Sequence, residues 1–452
     1  MIQTERIKIL NQKVLAKGDY VLYWMQQSQR VLYNHALEYA IEQANLLNQP
    51  LVVFFGLTDD FPEANERHYT FMLQGLQEVK TDLEALGILL VIQSVSPEVG
   101  ALQMARRASL AITDSGYLRI QRQWREYLAH HAECPVIQIE SDVIVPVQTV
   151  SSKEEYAAAT IRKKIYRYLD AFLLELTPGK TRISSLCLPF SQFPIENIGE
   201  SLATLKVNRD VGKIDWLKGG TGQAISLLDR FISDKLEKLA DCRNAPDKEC
   251  ISHLGPYLHF GQISSLYIAL RILSIPSRGS EIFFEELCIR RELAMNFVFY
   301  NSQYDCFDCL PTWVKKTLDK HRIDKRPYIY SIEVLEAGQT HDPYWNAAQK
   351  ELVFRGKMHG YMRMYWGKKV LEWSDSPERA YEALLYLNNK FSLDGRDANG
   401  FAGIAWCFGK HDRPWAEREI FGQVRYMNAQ GLRRKFSMDD YLRRVNELIP
   451  AP

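Results

Sequence analysis

No stretch of this 452-residue chain approaches the roughly 18 uninterrupted apolar residues of a membrane-spanning helix. The start, MIQTERIKIL, lacks the apolar centre of a secretion signal, so the expectation is a cytoplasmic protein, or a nuclear one in a eukaryote. Net charge is also scarce: the formal balance is +1, so no global basic field points to nucleic acid. The Arg-rich tail GLRRKFSMDDYLRR (431–444) has acids mixed in and reads as a solvated helix face. No strand-like run near the N-terminus leads into GxGxxG, and GxxxxGK[ST] occurs nowhere, which excludes the usual phosphate loops. Among eight cysteines, Cys306 and Cys309 make one CxxC, but no second pair has zinc spacing. His131-Ala132-Glu133 resembles half a deaminase signature and lacks the Pro-Cys-x-x-Cys that would complete it. No metal site is expected, and the cysteines read as reduced structural thiols. Internal repeats and low-complexity tracts are missing too.

What is present is ordinary soluble composition with an aromatic surplus. Hydrophobic residues are 46%, charged residues 25% and aromatics 12%, with Trp 9 and Tyr 23. The length suits two or three domains and a buried cofactor. Over the first 145 residues apolar runs alternate with helical spacing: strands at 19–25, 50–57, 88–93, 110–114 and 135–140, with helices between. This predicts a doubly wound, Rossmann-like parallel sheet of five strands with helices on both faces. Residues 1–150 form this α/β domain in our reading. Residues 151–218 are a helical segment and a long connector rich in Pro, Gly and Ser. Residues 219–452 read as an all-α domain. Fold of this kind says nothing about the ligand.

Three segments are richer than packing requires. MHGYMRMYWGKKVLEW (358–373) is helical, with two Trp, two Tyr, three Met and an Arg. Arg363, Trp366, Val370 and Trp373 share an arc of about 80°. A buried apolar face accounts for the indoles but not for Arg363, which requires a carboxylate or an anionic ligand. LNNKFSLDGRDANGFAGIAW (387–406) supplies Asn388, Asn389, Asp394, Arg396 and Asp397 in a Gly-rich turn, a source of amide and carboxylate contacts to a planar heterocycle. SHLGPYLHFGQIS (252–264) bends around aromatics, and backbone N–H groups at such a bend hold phosphate.

Together, YLHFGQIS, KMHGYMRMYWGKK, LDGRDANGFAGIAW and HDRPWAERE resemble the photolyase/cryptochrome family, and within it the class II cyclobutane pyrimidine dimer photolyases. RHYTFMLQGLQE and EYAAATIRKK resemble that class as well, so the likeness runs over nearly the whole chain in order. The resemblance implies an N-terminal antenna domain, a C-terminal helical domain holding FAD, and an expected monomer. The implied reaction is light-driven: excited reduced flavin passes an electron to a flipped-out dimer, the ring splits, and the electron returns. The substrate would be UV-damaged DNA. A second antenna chromophore, deazaflavin-type or other, is also implied.

The same resemblance assigns roles. Asn388 faces flavin N5, and Asp394 pairs with Arg363 beside the ring. Trp366 and Trp345 resemble the electron-transfer pair, with Trp373 as a third member. Ser252, Leu254 and Gln262 resemble flavin-diphosphate contacts. Glu286 resembles the carboxyl that hydrogen-bonds the damaged bases, with Met364 and Trp406 lining the dimer pocket. Arg243, Asn244, Asp412 and Arg413 fall on the DNA side. The chain departs from the class pattern at Gly255, Leu239 and Met295, and at Gln27, Ser28, Tyr33 and His35 in the antenna domain. Two alternatives stay open: a cryptochrome-like sensor without repair, and a nucleotide-binding α/β protein without photochemistry. No pair of histidines is placed for repair of the 6–4 photoproduct.

Overall fold

The computed structural model describes residues 2–449. Its sheet has six strands rather than five: β1 (Ile7–Ile9), β2 (Tyr20–Trp24), β3 (Leu51–Leu57), β4 (Leu89–Ser94), β5 (Ala108–Asp114) and β6 (Val136–Ile139). Their spatial order is β1-β6-β5-β2-β3-β4. Five are parallel as expected, and β1 adds an antiparallel edge against β6, Ile7 opposite Ile139. A three-residue strand shows no alternation, which is why the pattern missed it. It is held by tertiary contacts: the neighbouring Arg6 donates to the carbonyls of Glu140 (2.9 Å), Val143 (3.2 Å) and Ile144 (2.6 Å).

Alternation along each strand feeds two cores. Val21 and Tyr23 face the helices His35–Leu46 and Glu66–Ala85, whereas Tyr20, Leu22 and Trp24 face Pro97–Ala105 and Arg119–His131. The opposite edge, β4, is covered by the Pro-rich connector. Phe193 N–H donates to Ile92 O (2.6 Å), and the Ser185 hydroxyl accepts from Leu89 N–H (2.7 Å). Covering an edge this way blocks pairing with another chain.

Beyond the connector the chain is helical. Two clusters fill it, one centred on Trp345, Trp366 and Trp373 and one on Tyr257, Ile268 and Leu228. The tail is less solvated than expected. Arg444, on the helix Met438–Leu448, lies 3.0 Å from Glu249 and 3.6 Å from Glu351, and Tyr441 donates to Glu351 (3.1 Å). The cysteine reading also needs correcting. Cys242 and Cys250 form a disulfide, their Cα atoms 5.9 Å apart, because the short helix Leu239–Cys242 turns straight back on itself. The spacing follows no motif, so only the fold shows it. Cys306 and Cys309 stay free, the latter against the Tyr381 hydroxyl at 3.3 Å. Among the described residues no cluster of three or more His, Cys, Asp or Glu is placed to hold a metal ion, and no helix is long and apolar enough to cross a membrane.

Candidate active site

The over-aromatic segment is a helix, Gly360–Trp373, whose first turn is capped by His359 Nδ1 accepting from Tyr361 N–H (3.1 Å). Arg363 stands on that first turn, where the helix begins to enter the core. Its Nη1 donates to Asn388 Oδ1, and its Nη2 lies 3.9 Å from Asp394 Oδ1. Asn388 comes from the end of the helix Pro377–Phe391, and Asp394 from the turn after it. That turn requires glycine at 395, where a Cβ would lie 2.8 Å from Asn388 O and 2.9 Å from Ser392 O. Burial alone would raise the Asp394 pKa. Lys357, Arg363 and the Ser392 hydroxyl (2.6 Å) outweigh it and hold the carboxyl below its ordinary value.

This cluster floors a cleft of about 850 Å³, its open mouth included, lined also by Ser252, Leu254, Gly255, Leu287 and Gly400. Ser252, Leu254, Glu286, Arg363 and Asp394 therefore meet around one space. Asn388 sits directly behind them, its Nδ2 only 3.0 Å from where a Cβ at Gly400 would be. Glu286 reaches the rim from a π-helical turn, Glu285–Arg290, inserted between two α-helices. Such an insertion re-aims side chains and clusters at functional sites. The carboxylate is half exposed and pairs with Arg243 at 2.9 Å.

Lys357, half-buried within the KMHGYM motif, was not singled out by sequence. Among the described residues it makes no hydrogen bond or ion pair. Burial lowers its pKa while Asp394 raises it, with a net lowering. Two cations thus face one half-buried carboxylate, so the floor has positive charge to spare for an anionic group. Two further pairs went unread: His259 with Asp397 (3.1 Å) and Arg291 with Asp142 (2.7 Å). Burial raises the Asp397 pKa, but the His259 hydrogen bond and Arg291 prevail and bring it to about 2.

Behind Arg363 the indoles line up. Trp366 and Trp345 stack with centroids 6.5 Å apart and planes within 9°, and Trp373 meets Trp345 edge-on at 5.7 Å. Each orientation is fixed: Trp366 Nε1 donates to Gln349 Oε1 (2.8 Å) and Trp345 Nε1 to Trp366 O (3.0 Å). Trp373 in turn touches Tyr330 (5.4 Å) and His341 (5.2 Å), on which the half-exposed Tyr328 stacks. All three Trp rings are buried.

Other expected residues lie elsewhere. Gln262 is fully buried away from the cleft, accepting from Gly220 N–H (2.8 Å) and donating to Phe71 O (3.2 Å). It fastens the start of the helix Thr221–Asp234 to the helix Glu66–Ala85 of the α/β half. Met364 is half-buried, its sulfur 3.9 Å from Cys407, and Trp406 is exposed. Asp412 accepts from Trp415 Nε1 (3.2 Å), and the Arg413 guanidinium lies 5.2 Å above the Trp415 ring. These form an exposed loop, as does Asn244. Of the departures, Leu239 and Met295 are buried in the packing, and Tyr33 tilts against Tyr267 at 5.3 Å.

A second cavity, about 760 Å³ with its mouth included, opens at the carboxyl ends of β2 and β3, beside the switch in strand order. Trp24, Leu57, Phe61, Trp124 and Phe260 give it apolar walls. Trp24 Nε1, Gln26 Nε2 and Gln29 Oε1 are buried there and find no hydrogen-bond partner among the described residues. The absent phosphate loop also has a structural counterpart. Asp114 fills the backbone nest after β2, accepting from the N–H groups of Gln26 (3.0 Å), Gln27 (3.1 Å) and Ser28 (2.6 Å). The chain's own carboxylate occupies the place a phosphate would take.

A protein of Methanothermobacter thermautotrophicus named deoxyribodipyrimidine photo-lyase is 52% identical to this chain, covering 99% of it and 100% of the relative. The chain belongs to the DNA photolyase family. The DNA photolyase family model matches residues 21–181, the α/β half and the start of the connector. A photolyase relative of the same name from Potorous tridactylus is 40% identical, over 98% of this chain and 84% of that one. Among solved structures, a class III photolyase from Agrobacterium tumefaciens superimposes with a TM-score of 0.72 at 19% identity, covering 95% of this chain and 87% of that one. A Synechocystis cryptochrome does so with 0.72 at 15% identity, covering 94% and 88%. At those identities the likeness is one of fold: photolyase architecture, mixed α/β followed by helices.

Proposed function

We propose that this protein is a class II-type deoxyribodipyrimidine photo-lyase that binds UV-damaged DNA and splits cyclobutane pyrimidine dimers in light. The observation that carries the reading is the cleft floor of Arg363 and Asp394 with Asn388 directly behind it, backed by stacked indoles and opening past Glu286. FAD fits this floor, because the surplus positive charge of Arg363 and Lys357 suits an anionic ring or diphosphate. Bound there, FAD supplies the photoexcited electron that opens the cyclobutane ring. The protein's own groups orient and shield. Arg363 and Asn388 fix the ring edge, and Ser252 and Leu254 form the wall on the diphosphate side. Glu286 presents a carboxyl to the flipped bases, with its charge steadied by Arg243 until DNA arrives. Met364 and Trp406 line the side of the dimer, and Asn244, Asp412 and Arg413 meet the strand. Trp366, Trp345 and Trp373 offer oxidisable rings in van der Waals succession, so each tunnelling step is short. Gln262 takes no part in holding the cofactor in this reading, since it is fully buried away from the cleft.

The second cavity favours an antenna pigment. A planar heterocycle with donors and acceptors on its edge would satisfy the orphaned Trp24, Gln26 and Gln29 atoms while its faces contact Phe61 and Phe260. A solved photolyase of Sulfolobus tokodaii described as holding two FAD molecules shares this fold, with a TM-score of 0.71 at 15% identity, covering 94% of this chain and 89% of that one.

The test is illumination of the purified, chemically reduced protein with a dimer-containing oligonucleotide. Recovery of base absorbance in light and none in darkness is expected. Trp366→Phe is expected to leave this repair intact while cutting light-driven reduction of oxidised protein at least about tenfold. Flavin without repair would move the reading to a light sensor.

A further inference from the structure

The Asn388 amide is held at both ends, and the second holder is a neighbour that no motif singles out by role. Asn389 is buried and uses its side chain three times. Its Oδ1 accepts from Asn388 Nδ2 (3.2 Å) and from Arg396 N–H (2.9 Å), and its Nδ2 donates to Glu63 Oε2 (2.6 Å). The orientations follow from donors that cannot accept. The Arg396 backbone N–H can only donate, so it faces the Asn389 oxygen. That leaves the Asn389 nitrogen for the Glu63 carboxylate. The Arg363 guanidinium likewise can only donate, so it faces Asn388 Oδ1 and leaves Asn388 Nδ2 for Asn389. Every amide in the chain is therefore fixed in one sense.

The far end of this chain lies in the other half of the molecule. Glu63 belongs to the loop between β3 and the helix Glu66–Ala85, and it adopts a left-handed φ of +58°. A side-chain-bearing residue holds that conformation only where the surroundings dictate it. Asn65, two residues on, makes the same crossing by donating to Lys390 O (2.7 Å). The loop is thus fastened twice to the end of the helix Pro377–Phe391, next to Asn388.

We propose that Asn389 is a positioning residue: tied to Glu63 across the two halves, it sets the orientation of the Asn388 amide and through it the redox balance of the flavin. The proposal rests on Asn388 facing the flavin. If Asn389 is free to turn, Asn388 Nδ2 loses its anchor and Arg363 alone holds the amide, which then swings about that one bond. The consequence reaches the equilibrium between oxidised and reduced flavin.

The experiment is a redox titration of the flavin-loaded full chain, followed by its visible spectrum, with flavin affinity measured in parallel. Asn388→Ala is the reference and should displace the oxidised-to-reduced ratio at fixed potential. Asn389→Leu is expected to displace it in the same direction by about fivefold, the effect of one lost buried hydrogen bond. The exchange N389D with E63Q keeps total charge and reverses the direction of the Asn389–Glu63 bond, while an oxygen still faces Asn388 and Arg396. It is expected to return the ratio to within about twofold of the wild type. A shifted Asn388→Ala with an unshifted Asn389→Leu overturns the proposal. A shifted Asn389→Leu that the exchange fails to rescue overturns the link to Glu63. An unshifted Asn388→Ala instead removes the reading on which the proposal rests, and Asn389 then has nothing to position. Should Asn389→Leu fail to fold, Glu63→Ala and the exchange variant carry the same comparison.

Discussion

The cleft among the helices and the cavity at the carboxyl ends of β2 and β3 are built from different chemistry. Charge lines the cleft, and nearly every charge there has a partner: Arg363 with Asp394 and Asn388, Glu286 with Arg243, Asp397 with His259, Arg291 with Asp142. Aromatic and aliphatic walls line the cavity, and its polar atoms at Trp24, Gln26 and Gln29 have none among the described residues. The difference follows from what burial costs. An unpaired buried charge costs several kcal/mol, so the cleft pairs its charges internally and leaves only the Lys357 cation without a bonded partner among the described residues. An unpaired amide or indole N–H costs about 1–3 kcal/mol, which a ligand can repay. The cleft is preorganised, whereas the cavity is left to be completed.

Breaking the preorganised side should have the largest effect. Arg363→Leu removes the donor to Asn388 and one of two cations beside half-buried Asp394. Loss of charged hydrogen bonds of this kind costs about 2 kcal/mol, so FAD retention should weaken roughly thirtyfold. Fluorescence of released flavin measures it. Retention equal to wild type would mean that the cleft floor does not hold the cofactor.

How much of this contrast the sequence revealed depends on period and distance. The α/β alternation was legible because each buried strand is a continuous apolar run and each helix repeats at 3.6 residues. Arg363 was legible as an anomaly, a cation in line with indoles, and its partners lay about 30 residues further on, within one quoted motif. β1 was not legible, because three residues carry no period. Glu286 was placed by resemblance alone, since a π-helical turn leaves no mark in residue spacing. The Cys242–Cys250 bridge and the Asn389–Glu63 bond depend on where loops return in space. Gln262 shows the opposite failure: its motif is intact, yet the fold has spent its amide on tying Gly220 to Phe71.

The cavity offers a smaller effect of mixed sign. Gln29→Met keeps volume and removes the orphaned oxygen, at the expense of a weak 3.3 Å bond from Gln29 Nε2 to Gln26 O. Protein without a second pigment should gain up to about 1 kcal/mol, while affinity for the pigment falls about fivefold. Calorimetry with and without pigment separates the two. A variant less stable in both states would show that Gln29 serves the packing and that the cavity awaits nothing.

The last effect, a pH slope rather than a loss at fixed pH, concerns the seam between the regions, where a buried titratable group serves neither cavity. Glu292 accepts from the N–H groups of Ile144 (2.5 Å) and Val145 (3.4 Å), tying the helix Arg291–Tyr300 to the segment after β6. Burial pushes its pKa from 4.5 to about 8, and its two N–H donors and Arg291 offset only part of that. Between those values the folded protein keeps a proton that the unfolded chain releases, so the folded state binds more protons. The stabilisation is complete below 4.5 and lost as pH rises through about 8. One proton gives a slope of at most about 1.4 kcal/mol per pH unit. Glu292→Gln mimics the neutral carboxyl at every pH. Its melting temperature should therefore fall less than the wild type's from pH ~5 to ~9, and exceed it at the alkaline end. Parallel curves would mean that Glu292 is ionised in the fold, held by Arg291 more strongly than burial opposes it.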